Sequence, residues 1–282
     1  MAGSGGTASN RAPTRGSDLG WPVAALAIAA GLVLGLPVAA LVARAILDGS
    51  LAATAGMDVV VSALALSLAT TTVSLAAMVV FGTPLAFVLA RRRFRGSMLL
   101  ETVIDLPIVL PPSVAGLALL LLLGRRGLLG EPLSFLGLEL PFTTLAVVIA
   151  QTFVAAPFYI RSARTGFAAV DHDLEDAARV DGASERQLFQ WITVPLASTA
   201  LAAGLVMSWA RALGEFGATI MFAGNLTGKT QTLPLVVYTE FQAGNLDTSI
   251  AAAAILVMAA FGVLVAVRLL HWGRVLDVRG AG

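Results

Sequence analysis

Arg211 and Glu215 stand one helical turn apart in the stretch Ala-Arg-Ala-Leu-Gly-Glu-Phe-Gly-Ala at 210–218, inside a run that is otherwise apolar. Ionisable side chains in such a run face a bundle interior or a water-filled cavity, because lipid solvates neither charge. Two roles suit the pair: an ion pair that merely neutralises itself, or a charged gate on a polar path. Gly214 and Gly217 flank Glu215 and leave room for another helix to approach. Bond-making chemistry has few other candidates. The chain has no cysteine, which removes disulfides, thiolate metal sites and a cysteine nucleophile. Its two histidines, His172 and His271, lie outside the apolar runs, so an intramembrane hydrolase lacks a buried base.

The stretch Gly-Asn-Leu-Thr-Gly-Lys-Thr at 224–230 has the composition of a phosphate loop but not its spacing. A P-loop needs four residues between its glycines so that backbone amides wrap the phosphates. Here three separate Gly224 from Gly228, and the stretch follows an apolar run rather than a strand. A nucleotide-driven process would therefore need its ATPase on a separate subunit. Pro107, Pro111 and Pro112 lie together in another apolar run. Each removes a backbone donor, and carbonyls freed in lipid are costly, so this backbone should face protein or a watery path. Glu101 and Asp105, a turn apart in the same run, are placed to reach the interface or to pair with Arg91, Arg92, Arg93 and Arg95.

The elements that position these residues are membrane helices. Of 282 residues, 57% are hydrophobic and 12% charged, with a mean hydropathy of +0.87. A water-soluble domain of this size has too much surface to hide that many apolar side chains. A helix needs about 20 apolar residues to cross the hydrocarbon core. Six runs qualify: 21–47, 59–90, 98–124, 142–160, 196–222 and 250–270. The first is too long for the core of a cleaved signal peptide and reads as a retained span. The expected fold is thus an all-α membrane protein of six transmembrane helices. A disordered tail covers 1–20, one transmembrane domain covers 21–275, and a short tail covers 276–282. Trp21 and Trp272 suit interfacial anchors, and Trp209 suits packing.

Basic residues set the orientation. With the N-terminus inside, the inner segments hold thirteen of the Lys and Arg residues and the outer segments four: Arg44, Arg125, Arg126 and Lys229. Arg211 lies within a span. Both termini and the long polar segment 171–195 then face the cytoplasm. That segment has helical periodicity. Leu174, Ala177 and Ala178 fall on one face, with Asp171 and Asp173 at the helix start, where acids are favoured. Gly182 ends the helix, and Ser184 to Gln187 has the spacing of a capping box. Leu188, Phe189 and Ile192 give the second helix an apolar face, and Pro195 opens the fifth run. Two capped helices with apolar faces suggest a docking knob for another protein.

At these residues the chain resembles the membrane subunits of ATP-binding-cassette importers. Their "EAA" loop reads Glu-Ala-Ala, three residues, Gly, nine residues, Ile-x-Leu-Pro. Asp176-Ala177-Ala178, Gly182 and Ile192-x-Val194-Pro195 match it, with Asp for Glu and Val for Leu. The stretches 105–124 and 211–235 are further similar to the permeases of molybdate and tungstate importers. Sulfate permeases share the Gly-Glu-Phe-Gly core and the Gly-Lys-Thr-x-Thr-Leu-Pro tail. The resemblance implies the type I importer permease fold in a prokaryotic inner membrane. It implies a homodimer, two cytoplasmic ATPase subunits that alone bind ATP and magnesium, an external binding protein and a tetrahedral oxyanion substrate. Leu174, Asp176, Ala177, Ala178, Gly182, Ile192 and Pro195 would form the coupling element that meets the ATPase. Arg211, Gly214, Glu215, Gly217, Pro107, Pro111 and Pro112 would line or gate the path. A chain of this kind performs no bond chemistry, needs no cofactor or metal of its own and binds no nucleic acid. The alternatives are a permease for sulfate, thiosulfate or another oxyanion, or an ion-coupled secondary transporter. The latter would carry repeated halves and its own midplane ion site.

Because the native chain lacks cysteine, orientation is open to single-cysteine labelling. A membrane-impermeant maleimide applied to intact cells should modify Arg126→Cys and Lys229→Cys but not Arg92→Cys or Arg186→Cys. The reverse pattern would invert the topology.

Overall fold

The computed structural model describes the backbone of residues 21–92 and 94–279, with side chains through residue 265. The tail 1–20, Arg93, and the side chains of Trp272 and His271 lie outside the described residues. Among the described residues the chain is helical, without a strand.

Helix α1 (Trp21–Leu47) leads to the short α2 (Ser50–Thr54), and both pack on the last helix. Of the residues in α1 only Ala45 is buried, so the helix presents an apolar surface nearly all round, as suits a span solvated by lipid. Helix α3 (Asp58–Arg91) has 34 residues, about 51 Å at 1.5 Å per residue, well beyond the hydrocarbon core. Besides Thr70, its buried positions, Val60, Ala63, Ser67, Thr71, Ser74, Met78, Gly82, Ala86 and Leu89, recur every three or four residues and form one stripe.

Val60 and Ala63 meet Leu233, Val236 and Ala252, and from Thr71 onward the stripe packs on α7 (Thr144–Ala168), the centre of the bundle. The Thr143 side chain caps α7 by accepting the Ala146 N–H at 3.2 Å. The predicted fourth span, 142–160, is extended to Ala168. On its other side α7 meets α10 (Val194–Leu213). A Cβ on Gly166 would stand 2.6 Å from the Ala200 Cβ, and one on Gly204 would stand 2.8 Å from the Ser162 Cβ. Small residues bring these two helices together where apolar burial offers no drive in lipid.

Two predicted spans are not single helices. The third divides into α4 (Ser97–Val109) and α5 (Pro112–Leu123), related by a 120° turn. Leu110 and Pro111 are extended at the break, because consecutive prolines exclude the helical conformation before them and donate no N–H. Pro107 is accommodated, buried, inside α4. The fifth predicted span, 196–222, also breaks: α10 ends at Leu213, and a separate α11 (Gly217–Phe222) follows after Gly214, Glu215 and Phe216. Together α5 and α11 pack on the N-terminal half of α7, through Ala115, Leu119, Val147, Ala150, Val154, Ala218 and Phe222. The α6 helix (Gly130–Phe135) lies in the connection between α5 and α7.

Before α10 come α8 (His172–Val180) and α9 (Glu185–Leu188). The chain does not stop between α9 and α10, as the expected order of helix, proline and span would have it. It runs on through a π turn at Phe189–Thr193, where the Val194 N–H reaches back five residues to the Phe189 carbonyl. The wider turn makes room for the ring of Pro195 inside a continuous helix. Helix α12 (Leu233–Gln242), not expected from the sequence, precedes α13 (Leu246–Arg279). The α13 backbone stays helical beyond the predicted 250–270 and into the segment expected to be a tail from 276.

The joint between α5 and α11 is as close as that between α7 and α10. A Cβ on Gly116 would lie 2.6 Å from the Ala218 carbonyl oxygen and 2.7 Å from the Met221 Cβ. Gly116→Val should therefore destabilise the protein by about 1–3 kcal/mol through overpacking, whereas Gly262→Ala, with no atom of the described residues within 4 Å of its Cβ, should not. Thermal unfolding in detergent checks the difference. Equal midpoints for the two variants would contradict this packing.

Candidate functional site

The predicted docking segment is built as a rigid element. Asp171 caps α8 by accepting the Asp173 N–H at 3.0 Å. Gly182 closes the helix at φ +88°, a conformation open to glycine and strained for other residues. The Ser184 hydroxyl accepts the Gln187 N–H, and the Gln187 side chain accepts the Ser184 N–H at 2.9 Å, completing the capping box. The two expected apolar faces separate. Leu188 is buried and Phe189 half-buried, packed edge-on against Phe87 at 5.1 Å and near Phe167. Leu174 and Ala177 are exposed, Ala178 and Ile192 are half-buried, and Pro195 is exposed. Val180 and Trp191, 87% and 76% exposed, extend the apolar surface on this end. A hollow of about 300 Å³ lies between Gly182, Gln187, Trp191 and Ile192.

The acids divide the same way. Asp176 is exposed and pairs with Arg179 at 2.7 Å, while Arg179 also bonds Glu185 at 2.8 Å. Hydrogen bonds from Arg179 hold the Glu185 carboxyl below its usual range. In return, Glu185 and then Asp176 hold the Arg179 guanidinium above its ordinary value. These pairs are solvated and stabilise the loop little. Glu175, set aside by the motif spacing, is buried, with Arg91 and Thr193 as partners at 2.7 Å each. Sequence reasoning missed this trio. The one available signal was a second acid beside Asp176, turned about 100° away on the helix.

Glu101 and Asp105 pair with Arg164 (2.9 Å) and Arg161 (3.6 Å) of α7. Among the described residues, Arg91, Arg92 and Arg95 are not used by these two acids, because the α7 arginines reach α4 from alongside. Arg161 also borders a hollow of about 420 Å³ with Ser162, Thr165 and Met207.

Near the other half of α7, the two helix breaks meet. Pro112, Ser113, Arg211, Gly214, Glu215, Phe216 and Gly217 line a cavity of about 340 Å³. Pro111 is exposed beside it, and Pro107 is not among its walls. Glu215 is 1% exposed. Its Oε1 accepts the Ala218 N–H at 2.7 Å, satisfying a donor of the first turn of α11. Arg211 Nη1 lies 2.7 Å from Oε2, an ion contact off the line of a hydrogen bond. Of the two flanking glycines, Gly217 admits a neighbour: its Cβ would stand 2.7 Å from that of Pro112. Gly214 meets only its own helix and opens to the cavity. Trp209 is buried packing.

The loop at 224–230 is no phosphate cradle. The amides of Lys229, Thr230 and Gln231 all turn to the Leu226 carbonyl, and the Thr230 hydroxyl accepts the Leu226 N–H. The amides of Leu226, Lys229 and Thr230 are thus spent within the loop.

Comparison with known proteins agrees with this architecture. Residues 82–272 match the family model described as the binding-protein-dependent transport system inner membrane component. The molybdenum transport system permease YvgM of Bacillus subtilis is 48% identical over 153 residues, 54% of this chain and 67% of that one. The molybdenum transport system permease ModB of Haemophilus influenzae is 39% identical over 183 residues, 64% of this chain and 80% of that one. Among solved structures, a bacterial ABC transporter that imports the polysaccharide alginate has the same fold, with a TM-score of 0.70 and 17% identity, covering 89% of this chain and 94% of that one. A match over two thirds of its length places this multi-pass membrane chain in the family of binding-protein-dependent transport system inner membrane components.

Proposed function

We propose that the chain is the membrane-spanning subunit of an ATP-driven importer for a tetrahedral oxyanion, molybdate or tungstate. Two copies would form the pathway, two cytoplasmic ATPase subunits would drive it, and an external binding protein would deliver the anion. The observation that carries this reading is the loop at 171–195. It is braced from beneath by Leu188 and Phe189, yet it offers Leu174, Ala177, Val180 and Trp191 outward. A solvated connection has no reason to be both capped and apolar on its exposed side. The similarity to molybdenum permeases supports the substrate class. The sulfate alternative shares the motifs around Glu215, and the selecting step can reside in the binding protein.

In this reading the chain supplies no catalytic group or cofactor; ATP and magnesium bind to the ATPase. ATP-driven closure of the ATPase pair would draw the two loops together and exchange inward-open for outward-open states. The termini and the loop at 171–195 would face the cytoplasm, in accord with the basic residues. Arg211, partly exposed to the cavity, would attract the anion, and Glu215 would hold Arg211 and keep the outer gate shut.

Three experiments test these assignments. Gly182→Pro removes the positive φ, and Ala177→Asp puts a charge into an apolar contact. Both should weaken ATPase capture in detergent about tenfold or more while the permease still inserts. Unchanged capture by both variants would remove the docking role. Glu215→Gln keeps the acceptor for the Ala218 N–H but loses the charge. In liposomes its ATP hydrolysis should depend about fivefold less on binding protein, with lower uptake. Wild-type dependence would leave only the structural ion pair. Calorimetry on the binding protein should show molybdate and tungstate binding well above sulfate; the opposite order would move the substrate assignment to sulfate.

A further inference from the structure

Glu175 is a buried carboxylate at the polar end of the bundle, and neither docking nor gating uses it. Its Oε1 accepts from Arg91 Nη2 and from the Thr193 hydroxyl, both at 2.7 Å. Arg91 is the last residue of α3, and Thr193 ends the π turn that leads into α10. One oxygen therefore joins three elements: α8, the end of α3 and the entrance to α10. The Arg91 side chain is itself only 10% exposed, and its Nη1 lies over the His172 ring, 2.9 and 3.0 Å from the two nitrogens. A cation at a helix C-terminus is also favoured by the helix dipole.

The backbone of α8 otherwise packs chiefly on α9 and the π turn. The ion pair is thus the reach from the exposed helix to α3. A buried pair is a weak source of net stability, since desolvation offsets the attraction, but it fixes one relative position of the groups it joins. What α3 touches further along gives that position a use. Ser67, about 36 Å from Arg91 along the helix axis, accepts the Leu233 N–H at 2.8 Å. Leu233 opens α12 and ends the loop that follows α11, the helix whose first residue lines the Arg211 cavity. Ser74 and Thr71 hold α3 to α7 through Gln151. The helix between stays helical through Pro84, which removes one backbone donor, and it is braced there by the contact of the Thr83 and Tyr159 hydroxyls at 2.6 Å.

We propose that the Arg91–Glu175 pair is the strut that passes movement of α8 into α3, and through Ser67 to the loop beside the cavity. Asp176 and Glu175 then divide the work of one helix: the exposed acid meets the partner, and the buried one transmits. Glu175 and Arg91 are positioning residues that touch neither ATP nor anion. The inference rests on the importer reading above, and the wild-type control separates the two: ATP-dependent uptake by the wild-type complex upholds that reading whatever the variants do.

The test uses the whole complex of permease, ATPase and binding protein in liposomes, with molybdate as the probe. The readout is anion taken up per ATP hydrolysed, together with ATPase retained on the permease. Glu175→Gln keeps an acceptor for Thr193 and leaves Arg91 a polar neighbour. It should retain the ATPase and still hydrolyse ATP, while uptake per ATP falls about fivefold or more. The exchanged pair R91E/E175R should recover most of that loss, as a merely space-filling role would not. Wild-type uptake per ATP in Glu175→Gln overturns the strut. Loss of ATPase retention in Glu175→Gln overturns it as well, because the pair would then be a foundation for docking. A drop that R91E/E175R leaves unrescued also counts against it.

Discussion

Every backbone N–H and C=O that leaves a helix at membrane depth must find its partner inside the protein, because lipid provides none. The fold is organised around meeting that constraint at two breaks, one at Leu110 and Pro111 and one at Gly214, Glu215 and Phe216. The breaks are set against each other: Gly217 sits on Pro112, and Gly116 sits on Ala218. Pro111 contributes its carbonyl to the Val114 and Ala115 amides, and the Glu215 carboxylate takes the amide of Ala218. Helix α7, with α3 and α10 packed along it, forms the wall that keeps this irregular backbone in protein. The same requirement produces the cavity, since two helices that end early leave the space in which Arg211 is found.

The polar end of the molecule answers a different demand. It must be stiff without being buried. Caps at Asp171 and Ser184 and the left-handed Gly182 fix the shape locally. Phe87, Phe167 and Phe189 fix it from beneath. The π turn then joins the element to α10 without a hinge, so a push on α9 is a push on a helix that reaches Leu213, next to the cavity. Stiff connections suit a device in which one end exchanges between discrete positions and the other must follow.

How far this was legible in the sequence depends on whether the deciding contact is local. Four of the six apolar runs, the caps around Gly182, and the contact of Arg211 with Glu215 are local patterns, and the structure realises them. The break in the fifth run hides in Gly-Glu-Phe-Gly, which is apolar enough to continue a span. It becomes a break where α5 approaches closely and a side chain can satisfy the freed amide. Glu175 reads as a spare acid next to Asp176, because the end of α3 that buries it is 84 residues away. Glu101 and Asp105 find arginines of α7 for the same reason. Pro195 was expected to start a helix, and only the widened turn before it shows that the helix is continuous.

The central claim is that this chain moves an anion only as part of an ATP-driven assembly. Radiolabelled molybdate uptake into sealed liposomes addresses it directly. The permease is reconstituted alone under imposed proton and sodium gradients, and then with ATPase, binding protein and ATP. The account predicts accumulation only in the complete system with ATP, and none in response to either gradient. Gradient-driven accumulation by the permease alone would contradict it and identify a secondary transporter.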